Sequence, residues 1–142
     1  MHILVDTNVF LDLILEREDY YPIAKNFFKN VYLNKSKIFI SSISVRDIGY
    51  IVGHVFHNQE KGKDAQMRAY ELSHKILNVE DEDVINALYS YVKDFEDALL
   101  IEGAKRELLD LIVTNNTKDF ENSGFPVCSP DFFNQMVEKV LN

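Results

Sequence analysis

The 142-residue sequence has little cysteine, little positive charge and no long apolar run. Its single cysteine, Cys128, cannot form an intrachain disulfide, which favours a reduced, cytoplasmic protein. No stretch approaches the roughly 18 consecutive apolar residues of a membrane span, so we expect a soluble protein without a membrane partner. The apolar N-terminus is interrupted by Asp6 and Asp12 and has no basic start, which argues against a signal peptide.

The shortage of positive charge bears on nucleic-acid binding. The net charge is −8, whereas proteins that bind nucleic acid usually carry a basic surface. The balance is +1 over residues 1–77 and −9 over residues 78–142, so any contact with RNA must be local. Five basic residues are candidates for this local contact: Lys25, Lys29, Lys35, Lys37 and Arg46. Each of them is equally well explained as a solvated surface side chain.

The content of 46% apolar and 27% charged residues is ordinary for a globular protein, and the length predicts one domain over residues 1–142. Helices are predicted at about 8–15, from Pro22, at about 45–56 after capping hydroxyls at Ser42–Ser44, and at 64–74, 80–91, 94–107 and from Ser129, with a loop at 57–63. Short apolar strands are predicted between them at 2–5, 37–41, 76–79, 111–113 and 126–128. This alternation predicts an α/β fold, a three-layer α/β/α sandwich with a central parallel sheet of four to five strands.

Four acids are predicted at one edge of this sheet, because ligands gather beyond the carboxyl ends of parallel strands. Asp6 directly follows the first strand, and Asp47 is expected in the first turn of the helix after the second strand. Asp97 is expected in the first turn of a helix that opens at Asp94. Asp119 follows the strand 111–113 after a short polar link.

Ordinary structural roles also fit three of these acids. Asp47 would be the third residue of a capping box begun by Ser44, and Asp97 would have the same place after Asp94. Asp119 would be a turn aspartate. The three positions therefore do not establish a site one by one.

Asp6 is harder to explain structurally, because burying an uncompensated carboxylate beside an apolar strand costs several kcal/mol. Several carboxylates held together repel one another and are relieved by a hard cation with oxygen ligands. Mg²⁺ or Mn²⁺ bound in this way acidifies a water and offsets charge on a phosphodiester. Hydroxyl and amide groups near the acids would orient water, phosphate or the carboxylates: Thr7, Asn8, Thr114 and Asn116.

Together with other short motifs, these residues resemble the PIN domain, and most closely the VapC-type toxins of bacterial toxin–antitoxin systems. The resemblance covers nearly the whole chain and rests on four motifs in register: Val5-Asp6-Thr7-Asn8-Val9, Ser41-Ser42-Ile43-Ser44, Asp94-Phe95-Glu96-Asp97-Ala98-Leu99 and Ile112-Val113-Thr114-Asn115-Asn116-Thr117-Lys118-Asp119-Phe120. It implies a PIN fold, Mg²⁺- or Mn²⁺-dependent cleavage of RNA, inhibition by a cognate antitoxin, and frequent homodimers.

The resemblance also implies roles for individual residues. Asp6, Asp97 and Asp119 match the first, third and fourth acids of the family, which bind metal, and Asn116 matches the polar position beside the fourth. Asp94 matches the acid that opens its motif, as a helix cap first and a site residue second. Asp47 stands where many relatives have a glutamate, so its carboxylate reaches about 1.5 Å less far.

Two other functions were weighed against a toxin ribonuclease. One is a PIN-like domain with weakened or lost catalysis that binds RNA or protein. The other is a Mg²⁺-dependent phosphatase of the haloacid-dehalogenase type, which needs a second aspartate two residues after the first. Asn8 occupies that position, which speaks against the phosphatase.

Overall fold

The computed structural model describes residues 1–141. The strands are β1 (His2–Val5), β2 (Lys37–Ser41), β3 (Lys75–Leu77), β4 (Leu111–Val113) and β5 (Val127–Cys128). The helices are α1 (Thr7–Ile14), α2 (Tyr21–Leu33), α3 (Ser42–Val55), α4 (Gln59–Leu72), α5 (Asp81–Leu88), α6 (Phe95–Arg106) and α7 (Pro130–Leu141), with a 3₁₀ turn at Thr117–Phe120. No helix within the described chain is long and apolar enough to cross a membrane.

The five strands form one parallel sheet in the order β3-β2-β1-β4-β5. In the centre, Ile3 of β1 lies opposite Ile38 of β2 on one side and Leu111 of β4 on the other. The chain proceeds from β1 toward β2 and β3, then returns to add β4 and β5 on the opposite side of β1. The strand order therefore reverses between β1 and β4, which is where ligands bind in sheets of this kind.

Side chains alternate across the sheet and build a hydrophobic core on each face. Ile3 and Val5 point to the face covered by α1, α2, α3, α4 and α7. Leu4 and Ile112 point to the other face, which is covered by α5, α6 and the 3₁₀ turn. The predicted three-layer α/β/α sandwich with a parallel sheet is thus confirmed.

The N-terminal part of α3 differs from the prediction. The helix begins at Ser42, and Ser41 is its cap, since the Ser41 hydroxyl accepts a hydrogen bond from the Ile43 amide at 3.2 Å. Capping by Ser42–Ser44 is therefore wrong, and so is a capping box from Ser44 to Asp47. Asp47 lies in the second turn of the helix and not the first.

The segment predicted as a loop at 57–63 is largely helical. Asn58 caps α4 by accepting from the amides of Glu60 and Lys61 at 2.9 and 3.3 Å. Only Gly62, Ala65 and Ala69 of this helix are buried, so its sequence shows almost no apolar stripe. The polar composition concealed the helix because α4 packs through small residues.

Candidate active site

The candidate site lies where β1 and β4 end side by side. The Asp6 amide donates to the Val113 carbonyl at 3.0 Å, which carries the sheet pairing up to Asp6 itself. Asp6 then caps α1, because its Oδ1 accepts from the Thr7 amide at 2.8 Å. The carboxylate is thereby fixed by the strand before it and by the helix after it.

The second oxygen of Asp6 faces the end of β4. Oδ2 accepts from the Thr114 hydroxyl at 2.7 Å and from the Asn8 side-chain amide at 3.3 Å. Asp6 is only 8% exposed, and burial raises the pKa of its carboxyl group, with a smaller contribution from the charge of Asp94. The hydrogen bonds from Thr114, Thr7 and Asn8 lower that pKa and oppose the effect of burial.

The predicted supporting residues form a network around Asp6. The Thr114 hydroxyl accepts from the Asn116 amide at 3.1 Å, and the Asn8 side-chain oxygen accepts from the Asn115 amide at 3.2 Å. The Thr7 hydroxyl donates to Ser44 Oγ at 2.8 Å and so connects α1 to α3. The loop after β4 is therefore tied to the first turn of α1.

Asp97 approaches the same edge from α6. Asp94 is the cap of this helix, since its Oδ1 accepts from the Asp97 amide at 3.0 Å, as the capping interpretation predicted. Burial raises the pKa of Asp97 to about 7, and the negative charges of Asp94, Asp6, Asp119 and Glu96 add to the increase. The fold thus brings the acids of β1, α6 and the 3₁₀ turn within electrostatic range of one another.

Asp47 is the predicted acid that the structure associates least with the others. It lies one helical turn after Ser44, which the Thr7 hydroxyl contacts, so it faces the same edge of the sheet. Its side chain is 24% exposed and forms an ion pair with Arg46 at 3.1 Å. The negative charges that raise the pKa of Asp97 are those of Asp94, Asp6, Asp119 and Glu96, and Asp47 is not among them.

Two residues of the site, Asp12 and Asn115, were not predicted as site residues. Asp12, in the last turn of α1, is 3% exposed, and its Oδ2 accepts from the Asn115 side-chain amide at 2.6 Å. Its Oδ1 pairs with Arg17 at 3.4 Å. A charged residue four positions after Asn8, inside an otherwise apolar helix, was the available signal for this contact.

The side-chain atoms available as metal ligands are the oxygens of carboxylates, hydroxyls and amides, which suit Mg²⁺ or Mn²⁺ rather than a softer metal. Within residues 1–141, no three acidic, histidine or cysteine side chains are arranged as a ready-made metal-binding group. Cys128 is buried at the far side of β4, and burial raises the pKa of its thiol to about 11, so it supplies no thiolate near neutral pH.

Residues 2–118 match the family model of the PIN domain. The match spans most of the chain, and the chain belongs to the PIN-domain family. The resemblance seen in the motifs around Asp6, Asp97 and Thr114 is thus confirmed. No curated protein matches the sequence.

Solved structures of similar fold include a toxin–antitoxin complex. The FitAcB structure from Neisseria gonorrhoeae is 21% identical with a TM-score of 0.69, covering 90% of this chain and 97% of that one. A toxin–antitoxin complex from Klebsiella pneumoniae is 25% identical with a TM-score of 0.64, at the same two coverages. VapBC2 from Rickettsia felis, bound to a DNA fragment from its promoter, is 19% identical with a TM-score of 0.64, covering 91% and 98%.

Proposed function

We propose that this PIN-domain protein is a Mg²⁺- or Mn²⁺-dependent endoribonuclease, acting in the cytoplasm as the toxin of a toxin–antitoxin pair. The observation that carries the proposal is the set of acids at the switch point of the sheet. Burial raises the pKa of Asp97 most, and the charges of Asp94, Asp6 and Asp119 raise it further, as expected for carboxylates that lie near one another. A divalent cation bound between ionised carboxylates relieves their mutual repulsion, so the same set of acids is suited to bind a metal ion.

In this proposal Asp6, Asp97 and Asp119 bind the metal, and Asp47 completes the catalytic set. The bound ion supplies Lewis-acid stabilisation of phosphodiester charge and lowers the pKa of a water molecule. The chain's own contribution is to orient the carboxylates. Thr114 and the Thr7 amide hold the two oxygens of Asp6 in fixed directions, and Asp94 holds the first turn of α6 that carries Asp97.

A cognate antitoxin is the proposed protein partner. One structural relative is described as a toxin–antitoxin complex, and its match covers 90% of this chain. A homodimer is proposed only on the family resemblance. The residues that donate hydrogen bonds to Asp6 all belong to this chain.

A second function is favoured by one specific contact. Arg46 neutralises part of the charge of Asp47, at the position where many relatives have the longer glutamate. A PIN-like domain with weakened catalysis, acting as an RNA- or protein-binding module, is the corresponding alternative. Replacing Asp47 by Glu separates the two, because the longer side chain extends further toward the acids: cleavage that rises in the variant indicates an active but weakened nuclease.

The direct experiment is RNA cleavage by the purified chain in Mn²⁺, in Mg²⁺ and in EDTA. We expect cleavage only with metal, and loss of at least a hundredfold in the Asp6→Asn and Asp97→Asn variants. Asp64→Asn is the matched control, since Asp64 is an exposed acid of α4 away from the site. Cleavage that persists at the normal rate in Asp6→Asn would mean a contaminating nuclease. Binding of RNA without cleavage under any of these conditions would support the alternative.

A further inference from the structure

Two clefts open on either side of the acids. The first has a volume of about 450 Å³ and is lined by residues that include Asn8, Arg17, Tyr20, Asn116 and Ser129. The second has a volume of about 290 Å³ and is lined by residues that include Tyr91, Lys93, Asp94, Lys118 and Asp119. Some of these residues belong to the candidate site, whereas the tyrosines and cations of the two clefts have no role in the site described so far.

Both clefts extend to the candidate active site. In the first, Asn8 donates directly to Asp6, and the Asn116 amide donates to the Thr114 hydroxyl that holds the same carboxylate. In the second, Asp94 and Asp119 are among the charges that act on Asp97. A molecule that occupied both clefts would therefore pass over the acids.

The clefts lie on opposite faces of the sheet. The first is walled by α1, by the segment leading into α2 and by the start of α7, which cover one face. The second lies between the start of α6 and the 3₁₀ turn, which cover the other face. Asn116 and Lys118 are two residues apart, so the clefts meet within about 7 Å of chain at the edge of the sheet.

Each cleft combines a cation with an exposed tyrosine. Tyr20 is 53% exposed and Tyr91 is 93% exposed, so the rings of both are accessible from solvent. The Arg17 side chain is 41% exposed and uses one nitrogen on Asp12, which leaves most of its donors available. Lys93 and Lys118 are exposed beside Tyr91. Cations along a groove with aromatic platforms are the features that bind single-stranded nucleic acid.

We propose that one RNA strand crosses the edge of the sheet from the first cleft to the second. One nucleotide stacks on Tyr20 with its phosphate at Arg17, and another stacks on Tyr91 with its phosphate at Lys93 and Lys118. The intervening phosphodiester then lies at the acids, so this inference rests on the proposed nuclease function for its choice of RNA.

The substrate class follows from the same features. Stacking on Tyr20 and Tyr91 requires bases whose faces are free, which a duplex does not offer. A duplex would also place many phosphates against a chain whose net charge is −8. Each cleft is also lined by two carboxylates, Asp12 and Asp131 in the first and Asp94 and Asp119 in the second, so its one or two cations suit only a few phosphates of a single strand.

The test measures the Kd of a fluorescein-labelled single-stranded RNA of eight nucleotides by anisotropy, in the Asp6→Asn background so that cleavage is blocked. We expect Tyr20→Ala and Tyr91→Ala each to weaken binding by about five- to a hundred-fold, whereas Tyr20→Phe and Tyr91→Phe keep the ring and bind nearly normally. Tyr32→Ala is the matched control, because Tyr32 is 82% exposed on α2 and lines neither cleft.

The contribution of the cations is read from the dependence on salt. Arg17→Gln and Lys118→Gln should each reduce the slope of log Kd against log salt by about 0.7, the amount expected for one single-strand phosphate contact. Lys63→Gln replaces an exposed lysine of α4 that lies outside both clefts, and it should leave the slope unchanged. A merely structural role for Arg17 or Lys118 would not alter this slope.

Three results would overturn the inference: binding by Tyr20→Ala and Tyr91→Ala as tight as by Tyr32→Ala, an effect confined to one cleft, or equal affinity for a duplex of the same sequence. The outcome is separable from that of the proposed function. A protein that shows the expected binding pattern but never cleaves RNA keeps the strand path and loses the nuclease. A protein that cleaves RNA with kcat/KM unchanged in the tyrosine variants loses the strand path alone.

Discussion

At the scale of single residues, the arrangement of Asp6 depends on one hydroxyl. Thr114 is fully buried, donates to Asp6 Oδ2 at 2.7 Å, and accepts from the Asn116 amide. A carboxylate that is 8% exposed has almost no water with which to replace this hydrogen bond. The hydroxyl therefore contributes both to stability and to the direction in which Asp6 presents its oxygens.

We expect Thr114→Val to lower the free energy of unfolding by about 1–3 kcal/mol, because Asp6 Oδ2 and the Asn116 amide both lose their hydroxyl partner inside the protein. Urea denaturation at pH 7.5 measures the change. Thr114→Ser keeps the hydroxyl and should recover most of the loss. Equal stability of the valine variant and the unchanged protein would show that the hydroxyl is not needed.

Asp97 makes stability depend on pH. Its pKa is raised from 3.8 to about 7 in the folded protein, first by burial and then by the neighbouring charges. Between these two values the folded state holds a proton that the unfolded state has lost, so stability falls as pH rises through this window. Above pH 7 the penalty is fully present.

The Asp97→Asn variant removes this titration. In EDTA we expect it to have a higher Tm than the unchanged protein at pH 8, and a flatter dependence of Tm on pH between 5 and 8. Asp64→Asn serves as the control for loss of a negative charge at an exposed position. If Asp97→Asn melts below the unchanged protein at pH 8, the carboxylate is not under repulsion.

The role of a residue could be predicted from the sequence where its surroundings are formed by its neighbours along the chain. Asp6 was identifiable because it directly follows a buried strand, and sequence neighbours alone indicate its burial. The Asn115–Asp12 hydrogen bond joins positions 103 residues apart. The isolated charge of Asp12 in α1 indicates that it needs a polar partner, but no local pattern identifies Asn115 as that partner. The ion pair of Asp47 with Arg46 was not predicted, because Asp47 was expected in the first turn of α3, whereas the helix begins at Ser42 and Asp47 lies in its second turn.

At the scale of elements, α3 and α4 pack through glycine. A Cβ added at Gly62 would lie 2.5 Å from the Gly49 carbonyl oxygen, a backbone atom that cannot move aside alone. A Cβ added at Gly53 would meet nothing closer than 3.6 Å. The two glycines therefore differ in role although both are helical.

We expect Gly62→Ala to destabilise the protein by about 1–3 kcal/mol, since the two helices must separate. Gly53→Ala should be neutral or stabilising by up to about 1 kcal/mol, because alanine is the better helix former. Thermal unfolding of both variants checks the difference. Similar Tm values for the two would contradict a close helix crossing at Gly62.

The packing of α4 on α3 through small residues also explains why the first turn of α4 was predicted as a loop. Periodic apolar residues indicate a helix because helices usually bury large side chains, and α4 buries Gly62, Ala65 and Ala69 instead. The central strands were predicted well because β1, β2 and β4 contain continuous apolar runs that are buried on both faces. Errors concentrated at helix ends, such as α5 ending at Leu88 and not near Tyr91.

At the scale of the whole molecule, the net charge of −8 has two separable consequences for stability. Any salt screens the mutual repulsion of the acids and stabilises the folded state slightly. A cation bound at Asp6 and Asp97 acts differently, since it binds the folded state alone and stabilises it according to its concentration relative to Kd. The two effects are distinguished by comparing Mn²⁺ with NaCl at equal ionic strength.

With Mn²⁺ at a hundredfold excess over its Kd, binding contributes about 2.7 kcal/mol, which for a chain of this size raises Tm by about 5–10 °C. We expect NaCl at the same ionic strength to produce a much smaller rise. The Asp6→Asn variant should lose the Mn²⁺-specific part and keep the response to NaCl, because seven net negative charges remain to be screened. A rise of equal size in Asp6→Asn would mean that the ion binds elsewhere on the acidic surface, and the metal ligands proposed here would then be wrong.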